Sequence, residues 1–270
     1  RECRRLNITV VPPDINLSRS SFYLDEQGRI IFGFSAIRDV GIAVMDYFIA
    51  QRPFKNIYDV IQRGKLHKKT ARALTLCGAL DSLYPYRRSL LDFFESYKKI
   101  KKQKENKSTT LFDLDQFLQD QIKDKLGQED FTVMEKSQYE KMFLGVYVNH
   151  HPIEMVDQNF LKQSQRFTIR QVQEKCFFIQ NQSVKICGVL EEVRTTLTKK
   201  SQSMMAYVKI SDETSAIEVI VFPKMYEQLQ AKLLKGCVVS MTGKVSTEKI
   251  FIDSCEILFN PNEEKVLTTV

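Results

Sequence analysis

Residues Met204–Phe222 read M-M-A-Y-V-K-I-S-D-E-T-S-A-I-E-V-I-V-F. Two β-rich runs, Met204–Ser211 and Ala216–Phe222, flank the turn D-E-T-S. Within the first run Ala206, Val208 and Ile210 alternate with Tyr207 and Lys209, so one face is apolar and points inward while Tyr207 and Lys209 point outward. Upstream, Ser183–Glu192 alternates in the same way and carries Gly188. Downstream, Lys224–Leu234 reads as a helix, and Cys237–Val245 and Lys249–Phe259 read as strands. Three strands, one helix and two further strands is the order of a five-stranded OB-fold barrel, expected over 176–262 with a tail at 263–270.

The outer face and loops of such a barrel take up single strands. Here the first loop is T-T-L-T-K-K-S-Q-S, preceded by Arg194, and it brings Lys199 and Lys200 beside the exposed Tyr207. A basic loop next to an aromatic ring suits base stacking. Tyr207 and Phe222 have a second reading, in which they only cover the barrel.

Moving toward the N-terminus, Ile31–Phe48 reads I-F-G-F-S-A-I-R-D-V-G-I-A-V-M-D-Y-F. Val44, Met45, Phe48 and Ile49 share one helical face, so Gly41 falls where a tight turn enters a helix. Free amides at a helix start attract anions, and glycine admits a phosphate close to the backbone. The stretch looks like a helix-hairpin-helix, which grips phosphates without reading bases. A turn entering a core helix is the other reading. Further helices are expected over Pro53–Gly64, Lys68–Cys77 and Ser89–Ile100, and the joint G-A-L-D-S-L-Y-P-Y-R-R delivers Arg87 and Arg88 to the start of the last. Two such joints make a tandem domain over 31–102. Residues 1–30 hold an apolar strand, Ile8–Val11, and a hairpin signal around D-E-Q-G. They read as the edge of another domain.

The run K-K-I-K-K-Q-K-E-N-K-S-T-T has the composition of a solvated linker. It leads into Leu111 and Phe112, an apolar pair in a polar setting. Thr132-x-x-Glu135 is a capping box for a helix carrying Met142, Phe143, Val146 and Tyr147, broken by Pro152. The whole of 103–175 is expected to be a connecting region. The fold class is therefore α+β and multidomain.

The 270 residues include 40 basic and 33 acidic ones, a net charge of +7 that fits a polyanionic partner. Six dispersed cysteines form no C-x-x-C pair and read as free thiols in a reducing cytosol. No apolar run reaches the length of a membrane span. The D-x-D of Asp113 and Asp115 lacks a strand to fix it, and His67, His150 and His151 have no nucleophile partner at a recognised spacing. No catalytic or metal-binding residues are expected.

Five ordered blocks carry a resemblance: V-P-P-D-I-N at 11–16, F-G-F-S-A-I-R-D-V-G, C-G-A-L-D-S-L followed by R-R-S-L-L, F-L-G-V-Y-V-N-H-H-P-I, and the barrel sequence. Together they resemble the C-terminal part of the C-family bacterial replicative DNA polymerases, of the DnaE-type polymerase III alpha class. The resemblance implies the trailing edge of a fingers domain, a tandem helix-hairpin-helix domain behind the polymerase site, a clamp-binding segment and an OB domain near the template strand. Catalytic aspartates and their Mg²⁺ would lie in a palm outside this chain, which would be inactive alone and need no cofactor of its own. Asp39 stands where that family commonly has glycine, as does Ser215 after Asp212, and Asn149-His150 replaces a usual Ser-Gly.

On this reading Arg38, Val40, Gly41, Lys68, Lys69, Arg72, Arg87 and Arg88 hold duplex phosphates. Arg194, Lys199, Lys200, Tyr207, Lys209 and Phe222 hold single-stranded template. Leu111 and Phe112 dock on a sliding clamp, with Ser108 at the family's glutamine position. Expected partners are double- and single-stranded DNA, the clamp and other replisome proteins, in the bacterial cytoplasm and not at a membrane. The alternatives are a protein-interaction module docking on the clamp and an RNA-binding barrel of a tRNA-handling enzyme.

Overall fold

The computed structural model describes residues 2–64, 66–95, 126–164, 166–199, 201–231, 233–246 and 249–260. Lys200, Leu111 and Phe112 lie outside them. The chain divides into two compact units, Glu2–Asn149 and His150–Val270.

In the first unit α1 (Glu2–Arg5) precedes β1 (Val10–Val11), β2 (Tyr23–Leu24) and β3 (Ile30–Ile31). β3 lies between the other two, parallel to β1 and antiparallel to β2. The D-E-Q-G turn closes as its residues demand. The Asp25 carboxylate accepts the N–H groups of Gln27 and Arg29, and Gly28 takes φ +73°. The N-terminal segment, expected as the edge of another domain, feeds the core of this unit: Ile15 is fully buried and donates its N–H to the Ala79 carbonyl at 2.8 Å.

A 3-10 turn (Phe34–Ala36) leads to α2 (Ile42–Gln51), α3 (Ile57–Arg63) and α4 (Lys68–Leu76). A further helix, α5, covers residues 87–95. Met45 and Phe48 form the buried face of α2, joined in the core by Phe34, Phe54, Val60, Leu74, Leu80 and Leu90. α6 (Val133–Leu144) begins with the expected capping box of Thr132 and Glu135. It ends earlier than its apolar spacing suggests, because Gly145 adopts φ +76° and stops the helix. Phe143 is buried, whereas Val146 and Tyr147 fall past the stop.

The second unit opens with a 3-10 turn (Pro152–Met155), α7 (Gln158–Gln163) and α8 (Ile169–Lys175). Five strands follow: β4 (Ser183–Leu197), β5 (Met204–Ser211), β6 (Ala216–Val221), β7 (Val238–Ser246) and β8 (Lys249–Phe259), with α9 (Pro223–Leu229) between β6 and β7. They close in the order β4-β5-β6-β8-β7, the OB-fold arrangement, with β6 and β8 parallel. The inward set includes Ala206, Val208 and Ile210, each at 0% exposure, which confirms the alternation read from the sequence.

β4 is longer than the alternation at 183–192 indicates because it serves two partners. Its first half pairs with β7 and its second half with β5, and the exchange occurs at Val189. Gly188 sits beside that exchange, where an added Cβ would lie 2.5 Å from the Ser211 carbonyl oxygen. Buried Asp212 ties the β5–β6 turn to α8, accepting the N–H groups of Thr214, Ser215 and Ile169.

Candidate nucleic-acid interface

At the first joint, buried Ile37 and Val40 pin the exposed Arg38, Asp39 and Gly41. The Arg38 N–H donates to Phe143 O at 2.9 Å and the Val40 N–H to Ile37 O at 3.4 Å, so these two amides hold the loop together. The Val40 contribution is therefore an apolar anchor. Gly41 is the N-cap of α2, with no side-chain cap and no acid in the first turn. The N–H groups of Gly41, Ile42 and Ala43 have no acceptor among the described residues, and space beside the Gly41 Cα is open. This is an uncompensated helix dipole facing solvent, suited to an anion.

α4 starts in a related way. His67 gives it no side-chain cap, and its first turn carries the exposed Lys68 and Lys69 and no acid. Cations at the positive end of a helix are unfavourable unless an anion offsets them. Arg72, one turn on, pairs with Glu95 at 3.6 Å while staying half-exposed.

The second joint corrects the expectation for Arg87. Its guanidinium is 3% exposed and bonds Asp81 at 2.7 and 2.9 Å, Glu140 at 3.1 Å and the Leu76 carbonyl at 3.2 Å. Burial works against the Arg87 charge, but its hydrogen bonds to Asp81 and the charges of Asp81 and Glu140 more than offset this and hold the group above its ordinary range. Such a side chain cannot reach a phosphate. Two of the joint's amides are also taken: the Arg87 N–H donates to Asp130 and the Ser89 N–H to the Glu129 carbonyl. Arg88 stays partly exposed but stacks 4.8 Å from the Phe131 ring and pairs with Glu135 at 3.1 Å. Asn149 joins the same network, its Nδ2 donating to Glu140 at 2.7 Å.

On the barrel, cross-strand register aligns Arg194 with Tyr207, Tyr207 with Ile220, Ile220 with Phe251 and Phe251 with Lys244. Partners in register share a face, so these residues form one outward row. Lys249 lies 5.1 Å from the Tyr207 ring centroid. Phe222, 45% exposed, packs on Phe251 with centroids 5.2 Å apart. The cations are partly balanced: Glu218 accepts from Arg194 at 2.7 Å and from Lys249 at 2.9 Å, and Lys209 lies 4.0 Å from Glu191. The Glu218 hydrogen bond holds Lys249 above the usual lysine range. Lys199 is exposed on the loop after β4.

Among the described residues no group of three or more His, Cys, Asp or Glu is placed to hold a metal ion, and Asp113 and Asp115 lie outside them. No described helix is long and apolar enough to cross a membrane. All six cysteines are free, and burial pushes the Cys77 thiol up to about 12.

The helix-hairpin-helix motif family matches residues 7–90, and the OB-fold nucleic acid binding domain family matches residues 184–257. The DNA polymerase III subunit alpha of Haemophilus influenzae is 26% identical over 257 residues, which is 91% of this chain and 22% of that relative. That of Bacillus subtilis is 30% identical over 280 residues, 98% of this chain and 24% of the relative. Over nearly its whole length the chain is similar to part of the alpha subunits of DNA polymerase III. It spans less than a quarter of the length of these relatives.

One backbone feature marks the first joint of this DNA polymerase III alpha-like chain. Asp39 has φ +66°, the left-handed region where glycine is favoured. Asp39→Gly should relieve about 1 kcal/mol of backbone strain and remove a negative charge two residues before the α2 N-cap. Duplex affinity should rise several-fold while the melting temperature also rises; a fall in duplex affinity would show that Asp39 is a positive element of the joint. Three residues of the barrel escaped the sequence reading: Lys244, Lys249 and Phe251. Their place in the outward row follows from the β7–β8 and parallel β6–β8 registers, and local alternation within one strand carries no such information.

Proposed function

We propose that this chain is a non-catalytic DNA-binding segment of a bacterial replicative polymerase, acting in the cytoplasm during DNA replication. It grips duplex phosphates at the first helix-hairpin-helix joint and single-stranded template on the barrel face. The observation that carries this reading is the open, uncapped start of α2 at Gly41 beside the exposed Arg38. Lys68 and Lys69 add cations at the start of α4, and Arg72 and Arg88 remain surface-accessible. On the barrel, Tyr207 stacks a base, with Arg194, Lys199, Lys209 and Phe222 around it. Nucleotidyl transfer and its Mg²⁺ belong to the longer polymerase.

Titration of the chain with matched single-stranded, duplex and primed-junction DNA at several salt concentrations tests the reading. Log affinity should fall steeply with log salt, because each phosphate contact releases counterions. A flat response would sink the phosphate contacts. Tyr207→Ala should weaken single-strand binding by about five-fold or more, as a lost stack implies, and leave duplex binding nearly unchanged. Equal loss on both would refute the division of labour, and preference for structured RNA would favour a tRNA-type barrel instead. Docking of Leu111 and Phe112 on a sliding clamp belongs to the same proposal. It requires that double substitution of the pair abolish clamp capture, with Ser108 giving a weaker anchor than glutamine.

A further inference from the structure

The turn between α8 and β4 carries Phe177 and Phe178, which are 83% and 85% exposed; no other described phenylalanine exceeds 48%. Apolar rings held this far into water are unusual unless something covers them. Their backbone is firmly set. Phe178 and Ile179 both donate N–H to the Lys175 carbonyl, at 2.8 and 3.1 Å. Asn181 N–H donates to Val245 O at 2.8 Å, and Val245 N–H donates to Gln182 O at 3.1 Å, which fastens the turn to the end of β7. Cys176 and Ile179 on either side pack into the barrel core. The rings are therefore presented on a rigid support, and little conformational freedom remains to be lost on binding.

Their surroundings say what fits them. Lys175, Gln180, Asn181 and Gln182 are all exposed, so the pair's neighbours along the turn are mostly polar. Lys175 precedes the pair, with the exposed Glu174 before it, and the Lys185 ammonium lies over the Phe160 ring instead. A protein partner's interface would have an apolar centre wider than two rings. A single strand offers flat bases to stack on, which matches isolated rings in a polar setting. The turn is also continuous with the outward row. A cavity of about 390 Å³ has Val172 and Cys176 on one wall and Glu218, Val245 and Lys249 on another, and Lys249 stands over the Tyr207 ring.

We propose that Phe177 and Phe178 form a second stacking platform, which takes two bases of a single strand after it has passed Tyr207 and Lys249. This rests on the single-strand reading of the barrel face given above. The platform lengthens the bound stretch beyond the barrel strands themselves, toward the α8 side.

The test uses the whole chain and a dye-labelled oligothymidine length series, with Phe177→Leu/Phe178→Leu as the main variant, since leucine keeps apolar bulk and removes the π-face. The variant should lose about ten-fold or more on long oligomers, keep its duplex affinity, and keep the same salt slope. Its gain of affinity with length should stop about two nucleotides sooner than in the unchanged chain. Ultraviolet crosslinking of oligothymidine to the unchanged chain should map to the peptide holding Phe177 and Phe178. An unchanged length series in the variant would overturn the proposal, as would a loss shared equally by duplex DNA. A changed oligomeric state in sedimentation would assign the rings to contact between copies and overturn it too. If Tyr207→Ala weakens single-strand binding and the leucine pair does not, this inference alone fails. If the unchanged chain binds no single strand, the reading beneath it fails.

Discussion

Arg87→Met should lower folding stability by about 3–5 kcal/mol, the range for removing one partner of a buried charge network. Glu140, 2% exposed, would keep Asn149 as a donor and lose the only cation that an ion pair gives it among the described residues; Asp81 would lose its bidentate partner. In a denaturant titration the midpoint should fall with little change in slope. Adding Glu140→Gln and Asp81→Asn to the variant should recover part of the loss, because the uncompensated charges then disappear. Near-normal stability together with lost duplex binding would instead restore Arg87 to the role first expected of it. The design of the second joint makes that outcome inconsistent with the geometry. Gly78, at φ +84°, has no room for a Cβ because the guanidinium fills that space.

Gly188→Val should cost the barrel about 2–3 kcal/mol. Its Cβ would meet the Ser211 carbonyl oxygen and, at 2.8 Å, Ile210 Cγ1, both in the neighbouring strand. Backbone cannot step aside there, because β4 is bonded to β7 on one side and to β5 on the other within two residues of the site. Loss of strand signal in circular dichroism at lower temperature, together with weakened oligothymidine binding, would bear this out. A variant melting like the unchanged chain would mean that β4 can bend at another residue.

Much of this architecture was legible from residues because its signals are local. Alternation in Met204–Ser211, the Thr132-x-x-Glu135 box and the D-E-Q-G turn each contain their own physical instruction, and each appears where it was read. What was illegible depends on partners far apart in the chain. Arg87 follows a helix-joint pattern that suits a phosphate contact, and Asp81 together with Glu140, 53 residues on, turns it inward. Phe251 and Lys244 reach the Tyr207 row through strand registers that no short window displays. Gly145 was visible, but its left-handed φ was not, so the helical spacing of Val146 and Tyr147 suggested a longer helix than forms.

The left-handed backbone at Asp39 has an implication at the level of the gene. Aspartate and glycine codons differ by a single transition at the middle base, so one replication error converts this hairpin between a strained, negatively charged form and a relaxed, neutral one. If the joint holds a duplex as proposed, the tightness of that hold can be reset in one mutational step, without disturbing the buried residues on either side.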